Sequence, residues 1–132
     1  MLRGEVWWAS WPNDPSAKAR PVLIVSNNLR NGAPNLLDLV VVKLTSLYRD
    51  DGKKKPTNPA EDVVIKFKKD TIIRCASIYS IEKTLLNNRV TQLSIATMKD
   101  VDELLKHVLD LNYPAQNRSE GSKSLRTDRS TR

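Results

Sequence analysis

Arg20, Thr45, Ser46 and Arg74 are the residues of this 132-residue chain whose types and placement best suit chemistry. Arg20 directly precedes the apolar run 21–25, so it stands at a loop–strand junction, where functional groups are commonly presented. Thr45 and Ser46 close the long apolar run 36–44 and offer two hydroxyls at the end of a central element. Arg74 lies inside a strand-like stretch beside Cys75, an unusual place for a charge unless it faces a groove or a partner. Arginines hold phosphate oxygens through paired N–H groups and hydroxyls add neutral hydrogen bonds, so this set can bind a phosphodiester. Ordinary salt bridges and strand-end hydroxyls bonded to backbone fit the same residues, and spacing alone leaves both readings open.

Other chemistries find little material. The single histidine, His107, sits in a helical pattern and reads as a partly exposed helix residue rather than a catalytic base or metal ligand. The single cysteine, Cys75, excludes an internal disulfide and points to a reducing compartment. Gly4, Gly32, Gly52 and Gly121 are too far apart to form a phosphate-cradling loop, which argues against nucleotide-triphosphate and dinucleotide enzymes. Trp7, Trp8 and Trp11 invite base stacking, but strand alternation sends Trp8 one way and Trp7 and Trp11 the other, so at least one belongs to the core. The lysines at 53–55 and at 66, 68 and 69 are either plain solvated charge or sequence-independent contacts to a nucleic-acid backbone.

The elements that must position these groups are mostly strands. Residues 6–11 are aromatic and run into the turn residues 12–15. The run 21–25 is β-branched, and 36–44 is nearly all apolar, as in a central strand covered on both faces. Residues 53–59 form a basic, proline-broken loop. After it, Val63, Ile65 and Phe67 alternate with polar neighbours as a half-buried strand does. A further strand spans 71–81, and a short one covers 89–93. The one helix predicted comes last: Met98, Val101, Leu104, Leu105, Val108 and Leu111 recur at steps of three and four. Thr97 with Asp100 resembles its capping box, and Asn112-Tyr113-Pro114 its stop. The expected fold is mainly β: a small, strongly bent antiparallel sheet or partly closed barrel with a C-terminal amphipathic helix.

Charge and composition set the outer bounds. Lys and Arg number 22 against 15 Asp and Glu, a net charge of +7 that suggests a nucleic-acid partner. One domain is expected over 1–114. Residues 115–132 hold a single large apolar residue, Leu125, and a net charge of +3, and read as a basic disordered tail. Neither a signal-peptide pattern nor a run of ~18 apolar residues is visible, so the chain is expected in the cytoplasm and off the membrane.

These residues also carry a resemblance. Arg3-Gly4-Glu5-Val6-Trp7-Trp8 followed by residues 20–27, Val40 to Ser46, Thr71 to Cys75, Ser80 to Lys83 and the final helix resembles, in order and spacing, the PemK/MazF-like toxins of toxin–antitoxin systems. The resemblance covers about residues 3–111. It implies an SH3-like, partly closed barrel of the CcdB/PemK kind, assembled as a homodimer. It implies an endoribonuclease that needs no metal or other cofactor, cleaves single-stranded RNA by 2′-hydroxyl attack, and is inhibited by a cognate antitoxin protein. By the same resemblance Arg20 and Thr45 are catalytic, and Ser16, Lys18, Ser46, Arg74 and Ser77 contact RNA. Ala76 stands where some members carry Asp or Glu, and Ser77 and Tyr79 where Gln and Arg are seen. That departure frames an alternative, a catalytically weak or inactive homologue that binds RNA or an antitoxin as a regulator. A gyrase poison on the same fold fits less well, because the Arg-Pro-Val and strand-end threonine motifs belong to the ribonuclease branch.

Overall fold

The short β-branched and aromatic blocks pair into one antiparallel sheet of six strands in the computed structural model, which describes residues 1–11, 13–16 and 18–111. In chain order the elements are β1 (Glu5–Ser10), β2 (Ala19–Ile24), α1 (Asn28–Gly32), β3 (Asp38–Ser46), β4 (Asp62–Lys66), β5 (Asp70–Glu82), a 3-10 turn (Lys83–Leu85), β6 (Leu86–Gln92) and α2 (Ile95–Leu109). The sheet order is β4-β5-β3-β2-β1-β6. β4 and β6 are its two edges, so it is not closed. The tail expected over 115–132 lies outside the described residues.

Leu39, Val41, Val42 and Leu44 of β3 are buried, because this strand packs apolar side chains on both of its faces. Val42 and Leu44 join Val6, Leu23, Ile73 and Cys75 in one cluster, sealed by Met98 and Val101 of α2. Leu39 and Val41 join Ala9, Val22, Ile24, Ile81 and Leu86 in a second cluster, with Trp7 and Trp11 half-buried against it. The tryptophans thus divide as alternation predicts: Trp8 is 41% exposed.

Three local features differ from the sequence expectation. α2 begins at Ile95, and its cap is Ser94, whose Oγ accepts from the Thr97 amide at 3.1 Å; Thr97 and Asp100 are already helical. A serine one turn earlier offers the same oxygen, so the helix starts there. α2 ends before Pro114: Asp110 turns left-handed at φ 56°, and the Leu111 amide reaches back to the Lys106 carbonyl at 2.8 Å. This leaves Leu111 exposed rather than packed. Finally, α1 has no apolar period; Asn27 caps it, and its buried Asn31 bonds the Ser26 carbonyl at 2.8 Å.

Candidate active site

The site begins as a gap in the middle of the sheet. β2 and β3 pair only from Val22–Lys43 to Ile24–Val41. Both strands continue beyond that point on their outer sides: β1 follows β2 down to Ala19, and β5 follows β3 out to Ser46. Pro21 explains why the two part. The Val25 amide donates to Val40 of β3 at 3.0 Å, while the Ile24 carbonyl accepts from Gly4 on the β1 side at 2.9 Å. Alternating backbone groups along a strand therefore aim the nitrogen of residue 21 at β3, and proline has no hydrogen to give there. The ladder stops, and an open groove of about 980 Å³ forms between the separated ends.

Arg20 and Thr45 face each other across this groove, with Lys18 and Ser46 beside them. On the Arg20 side, Asp14 Oδ2 accepts from Nε at 3.2 Å and from Nη2 at 3.1 Å. Asp14 Oδ1 accepts from the Ser16 hydroxyl at 2.7 Å and the Ser16 amide at 2.9 Å. Those Ser16 bonds, with a smaller effect of Arg20, hold the Asp14 carboxyl below the usual carboxylate range. Asp14 engages one edge of the guanidinium, and the outer edge remains available to an anion. On the other side Lys55 Nζ donates to Thr45 Oγ1 at 2.8 Å. Lys43, Lys68 and Lys69 add positive charge to the lining against Asp50 and Asp51, and Trp8 adds an aromatic surface.

The structure thus brings together Arg20, Thr45, Lys18 and Ser46. Ser16 stands one step back, on the far side of Asp14. Arg74 and Ser77 do not line the groove. Arg74 pairs with Asp62 at 2.9 Å, and the Asp62 side chain is buried. Ser77 falls in a bulge of β5: Lys43 of β3 pairs with Arg74 and the next residue back, Val42, with Ile78, so residues 75–77 are passed over. Ala76 sits in the same bulge, exposed and off the groove. His107 is exposed on α2 and remote from the lining. Among the described residues no cluster of three or more His, Cys, Asp or Glu is placed to hold a metal ion.

Two contributors escape sequence reasoning, Asp14 and Lys55. Asp14 belongs to an Asn-Asp-Pro turn, and Lys55 is the last of three lysines. Only the chain's return after residue 47 singles Lys55 out from its neighbours.

Comparison with known proteins gives a consistent picture. Residues 2–109 match the family model of the PemK-like, MazF-like toxin of type II toxin–antitoxin systems. Endoribonuclease MazF2 of Mycobacterium bovis and endoribonuclease MazF6 of Mycobacterium tuberculosis are each 31% identical over 117 residues, covering 84% of this chain and 98% of theirs. An endoribonuclease solved in complex with its cognate antitoxin from a mycobacterial species superposes with a TM-score of 0.67 at 28% identity, over 86% of this chain and 99% of that one. A Mycobacterium tuberculosis toxin, MazF-mt6, has a TM-score of 0.63 at 18% identity, over 83% of this chain and 99% of that one, and shares the fold.

Proposed function

This chain belongs to the PemK-like, MazF-like toxins of type II toxin–antitoxin systems, and we propose that it is an endoribonuclease that cleaves single-stranded RNA in the groove between β2 and β3 without a metal. The observation that carries the reading is the placement of Arg20 and Thr45 on opposite lips of one basic groove. RNA carries its own nucleophile, so the protein need only hold the phosphodiester and stabilise charge. The 2′-hydroxyl loses its proton to water and attacks the adjacent phosphorus, the P–O5′ bond breaks, and the departing 5′-oxygen takes a proton from water, leaving a 2′,3′-cyclic phosphate and a 5′-hydroxyl. The free edge of the Arg20 guanidinium binds the non-bridging oxygens as charge builds on the phosphorane. Arginine stays protonated, so its part is electrostatic. The Thr45 hydroxyl donates to a second oxygen. Lys18, Ser46 and the groove lysines hold the strand on either side.

A cognate antitoxin would silence the site by laying an acidic segment along the same groove, an electrostatically steered pairing. The active assembly is a homodimer and works in the cytoplasm; among the described residues no helix is long and apolar enough to cross a membrane. The domain extends to residue 114. Residues 115–132 add only salt-sensitive attraction to RNA, so deleting them leaves folding and cleavage pattern unchanged. The alternative, an inactive regulator, is the weaker reading because Arg20 and Thr45 are both in place. The test is incubation of the wild type and Arg20→Ala with single-stranded RNA in EDTA. Cleavage with cyclic-phosphate ends is expected from the first and a ~10²–10³-fold slower rate from the second, the usual cost of removing a donor to a developing oxyanion. Absence of cleavage by folded wild-type protein would refute the reading.

A further inference from the structure

Lys55 makes a contact that neither charge nor groove shape requires. Of the three consecutive lysines, Lys53 and Lys54 are exposed, and only Lys55 is half-buried and part of the groove. A small hairpin puts it there. Gly52 adopts φ +84° at the turn, a conformation that suits glycine. The Arg49 amide donates to the Lys53 carbonyl at 2.8 Å, Tyr48 bridges Lys54, and the Lys55 amide donates to the Leu47 carbonyl at 2.8 Å. The chain is folded back so that residue 55 returns beside the end of β3. Its Nζ then reaches Thr45 Oγ1 at 2.8 Å, and among the described residues it has no carboxylate partner.

The direction of this bond is fixed by chemistry. An ammonium has three donors and no acceptor, so Lys55 gives and Thr45 Oγ1 receives. With that oxygen occupied as an acceptor, the single Thr45 hydrogen is turned away from Lys55, and the adjoining cation polarises the O–H and strengthens it as a donor. We propose that Lys55 is the positioning residue of the Thr45 hydroxyl, fixing it as a donor to the phosphate whose ester bond is cut. The proposal rests on the reading of the groove as an RNA-cleavage site.

The test is a double-mutant cycle. Wild type, Lys55→Met, Thr45→Val and the double variant are assayed on a mixed-sequence single-stranded RNA in EDTA, with kcat and KM measured separately. Lys99→Met, on the exposed face of α2, controls for loss of one positive charge. Lys55→Met is expected to lower kcat ~10–100-fold with KM nearly unchanged, the scale of one charge-assisted hydrogen bond. In the Thr45→Val background the same change should cost less than about threefold, because the hydroxyl it orients is gone. Lys55→Arg, which can still donate, should recover part of the rate.

A Lys55→Met effect confined to KM and its salt dependence would overturn the proposal, as would losses that multiply with those of Thr45→Val. A wild type that does not cleave would refute the functional reading instead. The Thr45 χ1 rotamer, read from NMR scalar couplings in wild type and Lys55→Met, then decides the pairing. A single rotamer that becomes averaged in the variant supports it, and an unchanged rotamer overturns it.

Discussion

Pro21→Ala tests whether a missing hydrogen really holds the groove open. The substitution supplies an N–H aimed at β3, where the ladder now stops at the Val22–Lys43 pair. One added backbone hydrogen bond contributes ~0.5–1.5 kcal/mol. Removing a proline whose ring already suits the native strand loosens the unfolded chain and costs ~0.4–1 kcal/mol. The two offset, so net stability should change by less than ~1 kcal/mol and Tm by less than ~8 °C. The groove should respond far more. Strands that pair stand ~4.8 Å apart, which leaves no room for a nucleotide between the backbones carrying Arg20 and Thr45. A misplacement of ~1 Å at a reacting centre costs ~10²-fold in rate, so cleavage of single-stranded RNA should fall by at least that much. Amide hydrogen exchange at position 21 reads the ladder directly, because a proline has no signal there and a paired alanine amide is protected. An unprotected amide together with unchanged cleavage would refute the account of the groove. A protected amide with full cleavage would move the active site elsewhere.

Other expectations follow from the cores and from Glu5. Glu5 is buried, and its Oε1 accepts from the Leu2 amide at 2.8 Å and Trp7 Nε1 at 3.0 Å, while Oε2 accepts from Arg89 at 2.9 Å. Burial pushes its carboxyl up, but the bonds from Trp7, Leu2 and Arg89 together hold it below the ordinary value of 4.5. Glu5→Gln should therefore cost ~1–2 kcal/mol at pH 7. A folded-state value below the unfolded one means that this stabilisation is full above about pH 4.5 and is lost as pH falls through the folded value. Urea melts of both proteins should converge in acid, and a gap that stayed constant would contradict the assignment. Val101, fully buried between α2 and the sheet, should cost ~1–3 kcal/mol when cut to alanine, read as a lower urea midpoint at unchanged slope. The Cys75 thiol is pushed up to about 11, by burial first and by the neighbouring Asp62 charge second. It should resist disulfide reagents at pH 8 in the native protein and react at once in denaturant; native reactivity would place it nearer the surface.

Elements with a period or a dense apolar run are readable from residue types, because burial writes a pattern. Alternation in 63–67 and the near-continuous apolar run into β3 correspond to one covered face and two. α2 is visible through Met98, Val101, Leu104 and Leu105 for the same reason. α1 is not, since Asn27 and Asn31 hold it together with polar bonds that leave no apolar stripe. The β5 bulge is equally silent: a passed-over segment such as Cys75-Ala76-Ser77 keeps strand-like composition, and only the register shows it. That bulge separates Ser77 from the groove in which the resemblance expects it. In the site itself, Arg20 and Thr45 could be found because they flank apolar runs. Asp14 and Lys55 could not, because each acts through a turn whose closure depends on backbone bonds that residue types do not reveal.

The origin of the groove in a broken ladder has an evolutionary consequence. An opening carved by small side chains would close whenever one of them grew, and each change of substrate would threaten the core. Here a single imino acid keeps the two backbones apart, and much of the lining comes from loops and strand ends such as Lys18, Tyr48, Arg49 and Lys68. Those positions can be exchanged without disturbing the two buried clusters. Descendants of one ancestral chain can thus inherit the opening intact while diverging in the RNA sequence each accepts.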